Sequence, residues 1–221
     1  MPVSEKLWTD VDAYFDSVLI GDDPALDAAR KAAAAAGLPD IAVAPNQGKL
    51  LNLMARMIGA RRILEVGTLG GYSAIWLARA LPEGGELVTL EYNPKHAEVA
   101  RANIANAGLA DKVTVITGAA IDTLPTLKGP FDFSFIDADK QSNPDYFGWA
   151  LKLSRKGSVI VVDNVVRYGQ VIDAKSDDPN IQGIRRLNEI MAVEKRVDAT
   201  AIQTVGVKGY DGLAVALVVA D

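Results

Sequence analysis

The chain has 221 residues, 49% of them apolar and 23% charged, a net charge of −5 and no cysteine. That profile fits one globular domain, which at this length buries about 70–75% of its unfolded surface without cross-links. It excludes disulfides, thiolate zinc sites and cysteine nucleophiles, and the chain lacks both a run of ~20 apolar residues and the sustained basic footprint of a nucleic-acid binder. The start, MPVSEKLWTD, has neither the basic nor the apolar run of a secretory signal, which points to the cytoplasm. A small molecule is the expected partner.

The first 60 residues read as helices. Leu7, Val11, Phe15 and Val18 recur at helical spacing and make one apolar stripe. Asp23-Pro24 starts an alanine-rich helix that Gly37-Leu38-Pro39 stops, and Leu50, Leu51, Met54, Met57 and Ile58 mark a third. Burial over a sheet is the expected fate of such stripes, with a dimer surface or lid as the alternative.

From about 60 to 165, short β-branched runs alternate with helical patterns. Strands are expected at Arg62–Val66, Glu86–Glu91, Lys112–Thr117, Phe131–Asp137 and Ser158–Asp163. Helices are expected at Tyr72–Ala80, Lys95–Ala107 and Tyr146–Leu153, the second introduced by Asn93-Pro94. Nearly continuous apolar strands separated by helices predict a parallel sheet covered on both faces. A helix near Ile184–Val193 and strands at about 199–206 and 212–219 follow. The short link between these last strands cannot hold a parallel crossover, so they form an antiparallel hairpin.

Two regions carry chemistry. The first runs from the apolar strand through Glu65-Val66-Gly67-Thr68-Leu69-Gly70-Gly71 into a helix at Tyr72-Ser73. Glycines at such a turn let backbone approach a ligand, and the helix start offers free N–H donors. Glu91 ends the next strand, where a carboxylate can accept both hydroxyls of a ribose. The spacing is not G-x-G-x-x-G, and no G-x-x-x-x-G-K-[ST] occurs, which disfavours dinucleotides and triphosphates. Glu65 would repel pyrophosphate but suits a ligand with an ammonium or sulfonium, a description that S-adenosylmethionine meets. Gly118-Ala119-Ala120 ends the third strand, where small residues could flank an adenine.

The second region lies at the ends of strands four and five, Asp137-Ala138-Asp139-Lys140 and Asp163-Asn164. Neighbouring strand ends would bring Asp137, Asp163 and Asn164 together as a hard, all-oxygen donor set. Such a set suits Mg²⁺, with Ca²⁺ or Mn²⁺ as alternatives, and leaves positions for water or substrate. A divalent cation holding a vicinal diol stabilises the oxyanion that forms. Lys140 beside that cation is the candidate general base, because a nearby positive charge favours release of its proton.

These residues identify a family. The chain resembles the cation-dependent class I O-methyltransferases, the group of catechol and caffeoyl-CoA O-methyltransferases, especially the small bacterial members. The resemblance covers roughly 41–219 through Ala44-Pro45-Asn46-Gln47-Gly48, LEVGT-x-GGYS, Glu91, DADK and DNV. It implies a Rossmann-like fold with a mostly parallel seven-stranded sheet, helices on both faces and a C-terminal antiparallel hairpin. It implies one S-adenosylmethionine-dependent domain over 1–221, with residues 1–58 on the substrate and dimer side. It further implies a metal on Asp137, Asp163 and Asn164, Lys140 as base, and cofactor contacts at Val43, Glu65, Gly67, Ser73, Glu91, Ala119 and Asp137. A phenolic or diol acceptor and a homodimer complete the expectation. The family often has Met and Ser near Val43 and Ala44 and a Trp near Arg167, so the aromatic surroundings of the acceptor differ here.

Other residues read blandly. His96, the only histidine, excludes a His-based triad and is expected on the solvated surface. Tyr146 and Trp149 read as core or interface, Asp139 as turned away from Asp137, and Arg185 with Asn188 as a salt-bridged structural pair of positions. Open rivals are methylation of another diol natural product or a CoA-linked phenol, a nucleotide-dependent oxidoreductase, and a non-catalytic module that binds S-adenosylmethionine to regulate a partner. The last would need neither Asp137-x-x-Lys140 nor Asp163-Asn164.

Overall fold

The computed structural model describes residues 4–221. Helix α1 (Glu5–Phe15) begins at Ser4, whose hydroxyl accepts from the Leu7 N–H at 3.3 Å, and continues as a wider π turn over Asp16–Ile20. Helix α2 (Pro24–Ala35) begins at Asp23, whose carboxylate accepts from Leu26 N–H at 3.1 Å, with proline at the first helical position. Helix α3 (Pro45–Met57) follows. Then come β1 (Arg62–Val66), α4 (Tyr72–Ala78), β2 (Glu86–Glu91), α5 (Pro94–Asn106), β3 (Val113–Thr117) and the short α6 (Ala120–Thr123). The rest is β4 (Phe131–Ile136), α7 (Asn143–Lys152), β5 (Ser154–Asp163), α8 (Pro179–Val193), β6 (Val197–Gly206) and β7 (Gly209–Val218).

The seven strands form one sheet in the order β3-β2-β1-β4-β5-β7-β6. The first five are parallel, and β7 runs antiparallel to both β5 and β6. This is the mostly parallel, Rossmann-like α/β sheet that the strand pattern predicts. Because successive strand residues face opposite ways, each strand feeds two cores. Ile63, Leu87, Phe133 and Phe135 pack under α2 to α5, while Leu64, Leu90, Ile136 and Ile160 pack under α7 and α8. Chain order reverses between β1 and β4, and open α/β sheets bind ligands outside the carboxyl ends of strands at that switch.

The differences from expectation have local causes. Helix α8 starts at Pro179, earlier than its apolar periodicity suggests, because Asp178 caps it by accepting from Asn180 N–H at 2.8 Å. Strand β5 reaches back to Ser154 through an irregular register with β4. The link between β6 and β7 is only Val207-Lys208, since Gly206 and Gly209 still pair.

The N-terminal stripe does not cover the sheet. Val11, Phe15 and Val18 remain 41%, 43% and 54% exposed. Helix α1 lies along β6, the edge strand, so no layer of the described chain is left to close over its apolar side. Among the described residues no helix is long and apolar enough to cross a membrane.

Candidate active site

The carboxyl ends of β1, β2 and β4 open into a cleft of about 1170 Å³. Its floor depends on Gly67, which has φ of 99° and donates its N–H to the Leu90 carbonyl at 3.0 Å. A Cβ at Gly67 would overlap the Asp137 carbonyl, so only glycine lets the ends of β1 and β4 approach this closely. Glu91 then organises the loop. Its Oε2 accepts from Thr68 N–H at 3.2 Å and Leu69 N–H at 2.8 Å, and its Oε1 accepts from Asn93 N–H at 2.9 Å. Backbone donors thus hold the carboxylate at the cleft wall, with further lone pairs available to ligand hydroxyls.

Glu65 sits behind that wall, not on it. It is 0% exposed, and its Oε1 has no hydrogen-bond partner among the described residues. Its Oε2 accepts from Thr89 Oγ1 at 2.5 Å; since that hydroxyl has one proton, Thr68 must donate to Thr89 in turn. Burial pushes the Glu65 carboxyl up to about 7, the nearby Ser73 and Thr89 hydroxyls hold it back, and the charges of Asp137 and Glu91 add to the rise. A carboxyl whose folded pKa lies above its ordinary 4.5 binds more protons in the native state, so stability falls as pH rises between those values. Glu65→Gln removes that cost. We expect the ligand-free variant to melt above the parent at pH 8 and close to it at pH 5, the gap opening between those ordinary and folded values and levelling off above about 7. Equal melting curves at pH 8 would mean that the buried charge is not held at a cost.

The chemical end lies at β4 and β5. Asp137 directly follows β4, its N–H bonded to the Val66 carbonyl at 2.8 Å, and Asp163 is the last residue of β5. Lys140, only 8% exposed, donates from Nζ to Asp137 Oδ1 at 2.6 Å. Gln47 at the start of α3 donates from Nε2 to Asp163 Oδ2 at 2.6 Å. Asn164 adopts φ of 60°, a left-handed conformation that asparagine tolerates better than most residues. Burial first, and then the nearby Asp137 charge, raise the Asp163 carboxyl above its ordinary value, while Lys140 opposes the rise. Two carboxylates close enough for one to disfavour the charge of the other, Asp163 buried and Asp137 part-exposed, fit a divalent cation, which would relieve their repulsion. Among the described residues no group of three His, Cys, Asp or Glu side chains forms a metal cage. A metal held here would draw on the two carboxylates, the Asn164 amide, and oxygens from water or a bound diol.

Most of the expected residues meet in this one place. Val43, Gly67, Ser73, Glu91, Ala119 and Asp137 line the cleft together with Lys140 and Asn164. Asp163 instead lines an adjoining cavity of about 450 Å³, which shares Asn164 with the cleft. Several bland expectations fail. His96 is not a free surface residue: its Nδ1 lies 3.5 Å from Glu91 Oε1, and it lines the cleft, because the capped start of α5 aims its first turn at the end of β2. Asp139 also lines the cleft and accepts from Tyr146 Oη at 2.6 Å. Strand alternation does not apply to it, since β4 stops at Ile136. Tyr146 is buried as expected, but its hydroxyl serves the cleft wall. Arg185 donates to the Val171 carbonyl at 2.6 Å, a backbone partner in place of the expected salt bridge. Gln47 belongs to a motif visible in the sequence, yet nothing there ties it to Asp163, because that contact spans two distant elements.

Comparison with known proteins agrees with this geometry. A family model described as O-methyltransferase matches residues 16–217. The chain is 60% identical over 210 residues to the catechol O-methyltransferase of Mycobacterium tuberculosis, with 95% of each chain covered. The O-methyltransferase from Bacillus cereus, solved in complex with SAH, has a TM-score of 0.96 at 57% identity, covering 97% of this chain and 100% of that one. The O-methyltransferase TomG from Streptomyces achromogenes, involved in tomaymycin synthesis and solved in complex with SAM, has a TM-score of 0.96 at 52% identity. That match covers 99% of this chain and 100% of TomG.

Proposed function

The chain belongs to the O-methyltransferase family, and from that premise we propose that it methylates one hydroxyl of a catechol-type vicinal diol with S-adenosylmethionine as donor. The observation that carries the reading is the meeting of two sites at adjacent strand ends. The Gly67 turn and Glu91 lie at β1 and β2, and Lys140 lies beside Asp137 and close to Asp163 at β4 and β5. The names of the relatives, a catechol O-methyltransferase and structures with SAH or SAM, support the donor and acceptor classes.

Each residue has a role in this reading. Glu91 accepts from the ribose hydroxyls of the donor. Val43, Ser73 and Ala119 flank it on the cleft wall, and buried Glu65 supplies negative charge behind the end that carries ammonium and sulfonium. Asp137, Asp163 and Asn164 would hold a divalent cation, Mg²⁺ foremost and Ca²⁺ or Mn²⁺ as alternatives. When bound, that cation would stabilise negative charge on the acceptor oxygens. Lys140, its Nζ made neutral by release of its own proton to solvent, takes the proton of the hydroxyl to be methylated. The acceptor oxygen then bonds to the methyl carbon as the methyl–sulfur bond breaks, leaving the thioether product. Catalysis beyond proton transfer is positioning: the cleft holds nucleophile and methyl in line and keeps water away.

One domain over 1–221 suffices for this chemistry, with residues 1–58 on the acceptor and dimer side. A homodimer belongs to the reading, and the exposed Val11, Phe15, Val18 and Leu19 beside Ile202 and Val205 of the edge strand support it. A second acceptor class, another diol natural product or a CoA-linked phenol, draws support from the tomaymycin relative and from Arg167 on the cleft wall.

The test is transfer of a labelled methyl group to caffeate or another simple catechol in Mg²⁺. Metal-dependent product, with none from a monophenol of the same size, is the expected result. Product from both at equal rates would overturn the diol requirement. Tight donor binding with no transfer to any diol would favour a regulatory binding module.

A further inference from the structure

The first helix is tied to the far side of the candidate metal centre by a continuous run of hydrogen bonds. Asp12 on α1 is only 7% exposed although its neighbours on the helix are open to solvent. Its Oδ2 accepts from Val207 N–H, in the turn between β6 and β7, at 2.7 Å. Its Oδ1 accepts from Asn46 Nδ2, at the start of α3, at 2.8 Å. Asn46 Oδ1 in turn accepts from the N–H of Gln47 at 2.8 Å, and Gln47 Nε2 donates to Asp163 Oδ2. Room for the Asp12 carboxylate comes from Gly206, where a Cβ would overlap Asp12 Oδ2. Asp12, Asn46, Gln47 and Gly206 line the 450 Å³ cavity that borders Asp163 and Asn164.

Such an arrangement has a physical consequence. A buried carboxylate that loses a charge-assisted donor is free to rotate, and a metal then pays the ordering that the donor had supplied. Fixing Gln47 in turn requires the α3 start to be held. The residue that holds it, Asp12, lies on a helix that makes no other polar contact with this centre among the described residues. We propose that Asp12, Asn46 and Gln47 are positioning residues through which the N-terminal helix presets Asp163 for the metal. This rests on the metal reading above and assigns to the first helix a role beyond covering the fold.

The probe is Mn²⁺ alone, titrated into the donor-loaded full chain and followed by electron paramagnetic resonance of the free ion. Gln47→Leu is expected to raise the Mn²⁺ dissociation constant by about 10–100-fold, the usual effect of losing a partner of a metal ligand, with donor affinity within about twofold of the parent. Asp12→Asn cannot accept from both of its donors, and Gly206→Ala displaces the carboxylate without altering it. Both are expected to weaken Mn²⁺ in the same direction, by several-fold, again with donor binding retained. Unchanged Mn²⁺ affinity in Gln47→Leu would overturn the proposal. A loss confined to Gln47→Leu would overturn the part played by the first helix. A parent chain that takes up no Mn²⁺ would sink the metal reading itself, and the proposal with it.

Discussion

Replacing Lys140 by alanine is expected to lower turnover by about 10²–10⁴-fold, the usual span for loss of a general base, while donor affinity stays within about twofold. The asymmetry follows from position. Lys140 Nζ donates to Asp137 Oδ1 at the β4 end, whereas Glu91, the residue proposed to meet the donor's ribose, ends β2. Alanine removes two things at once, the amine that accepts a proton when neutral and the positive charge it carries beside Asp137 when protonated. Lys140→Arg separates them, because a guanidinium keeps its charge but does not give up its proton at working pH. Arginine should therefore preserve the melting temperature better than alanine and yet recover little of the rate. If Lys140→Arg turned over at the parent rate, Lys140 would be an electrostatic partner of Asp137 and no base.

A good part of this site is legible in the sequence, for a specific reason. Ligand chemistry in a parallel sheet concentrates at the carboxyl ends of strands, and those ends are marked by the change from apolar runs to Gly, Asp, Glu or Asn. Val66-Gly67, Glu91, Ile136-Asp137 and Asp163-Asn164 each carry that mark, and the structure brings them to one rim. What is not legible depends on contacts between elements far apart in the chain. The Gln47 to Asp163 bond spans 116 positions, and the Asp12 to Val207 bond spans 195. Nothing in the local pattern of α1 distinguishes Asp12 from the solvated Asp10. The exposed stripe of α1 misleads for a related reason: helical periodicity reports that a face is apolar, not which neighbour covers it. His96 misleads because its helix direction, set by the Asn93 cap, decides whether it faces solvent or the cleft.

Chelation should lower the rate by at least about 10³-fold, since a bound cation contributes several kcal/mol of charge stabilisation and each ~1.4 kcal/mol is a factor of ten. In the proposed reaction the acceptor oxygen becomes more negative as it loses its proton, beside the carboxylates of Asp137 and Asp163 at the ends of β4 and β5. Without a cation these carboxylates repel the developing charge, and Lys140, already engaged with Asp137, is the positive group at hand. Removing the metal therefore changes the sign of the local field as well as its size. Asp163→Ala should behave like chelation in the rate, and added Mg²⁺ should rescue the chelated parent but not the variant. Donor binding, measured by calorimetry in excess chelator, should survive in both, because Glu91 and the Gly67 turn lie at other strand ends. A full rate in excess chelator would mean that the acceptor is activated by Lys140 alone. Asp137 and Asp163 would then be neighbours that the fold tolerates for some reason other than a metal.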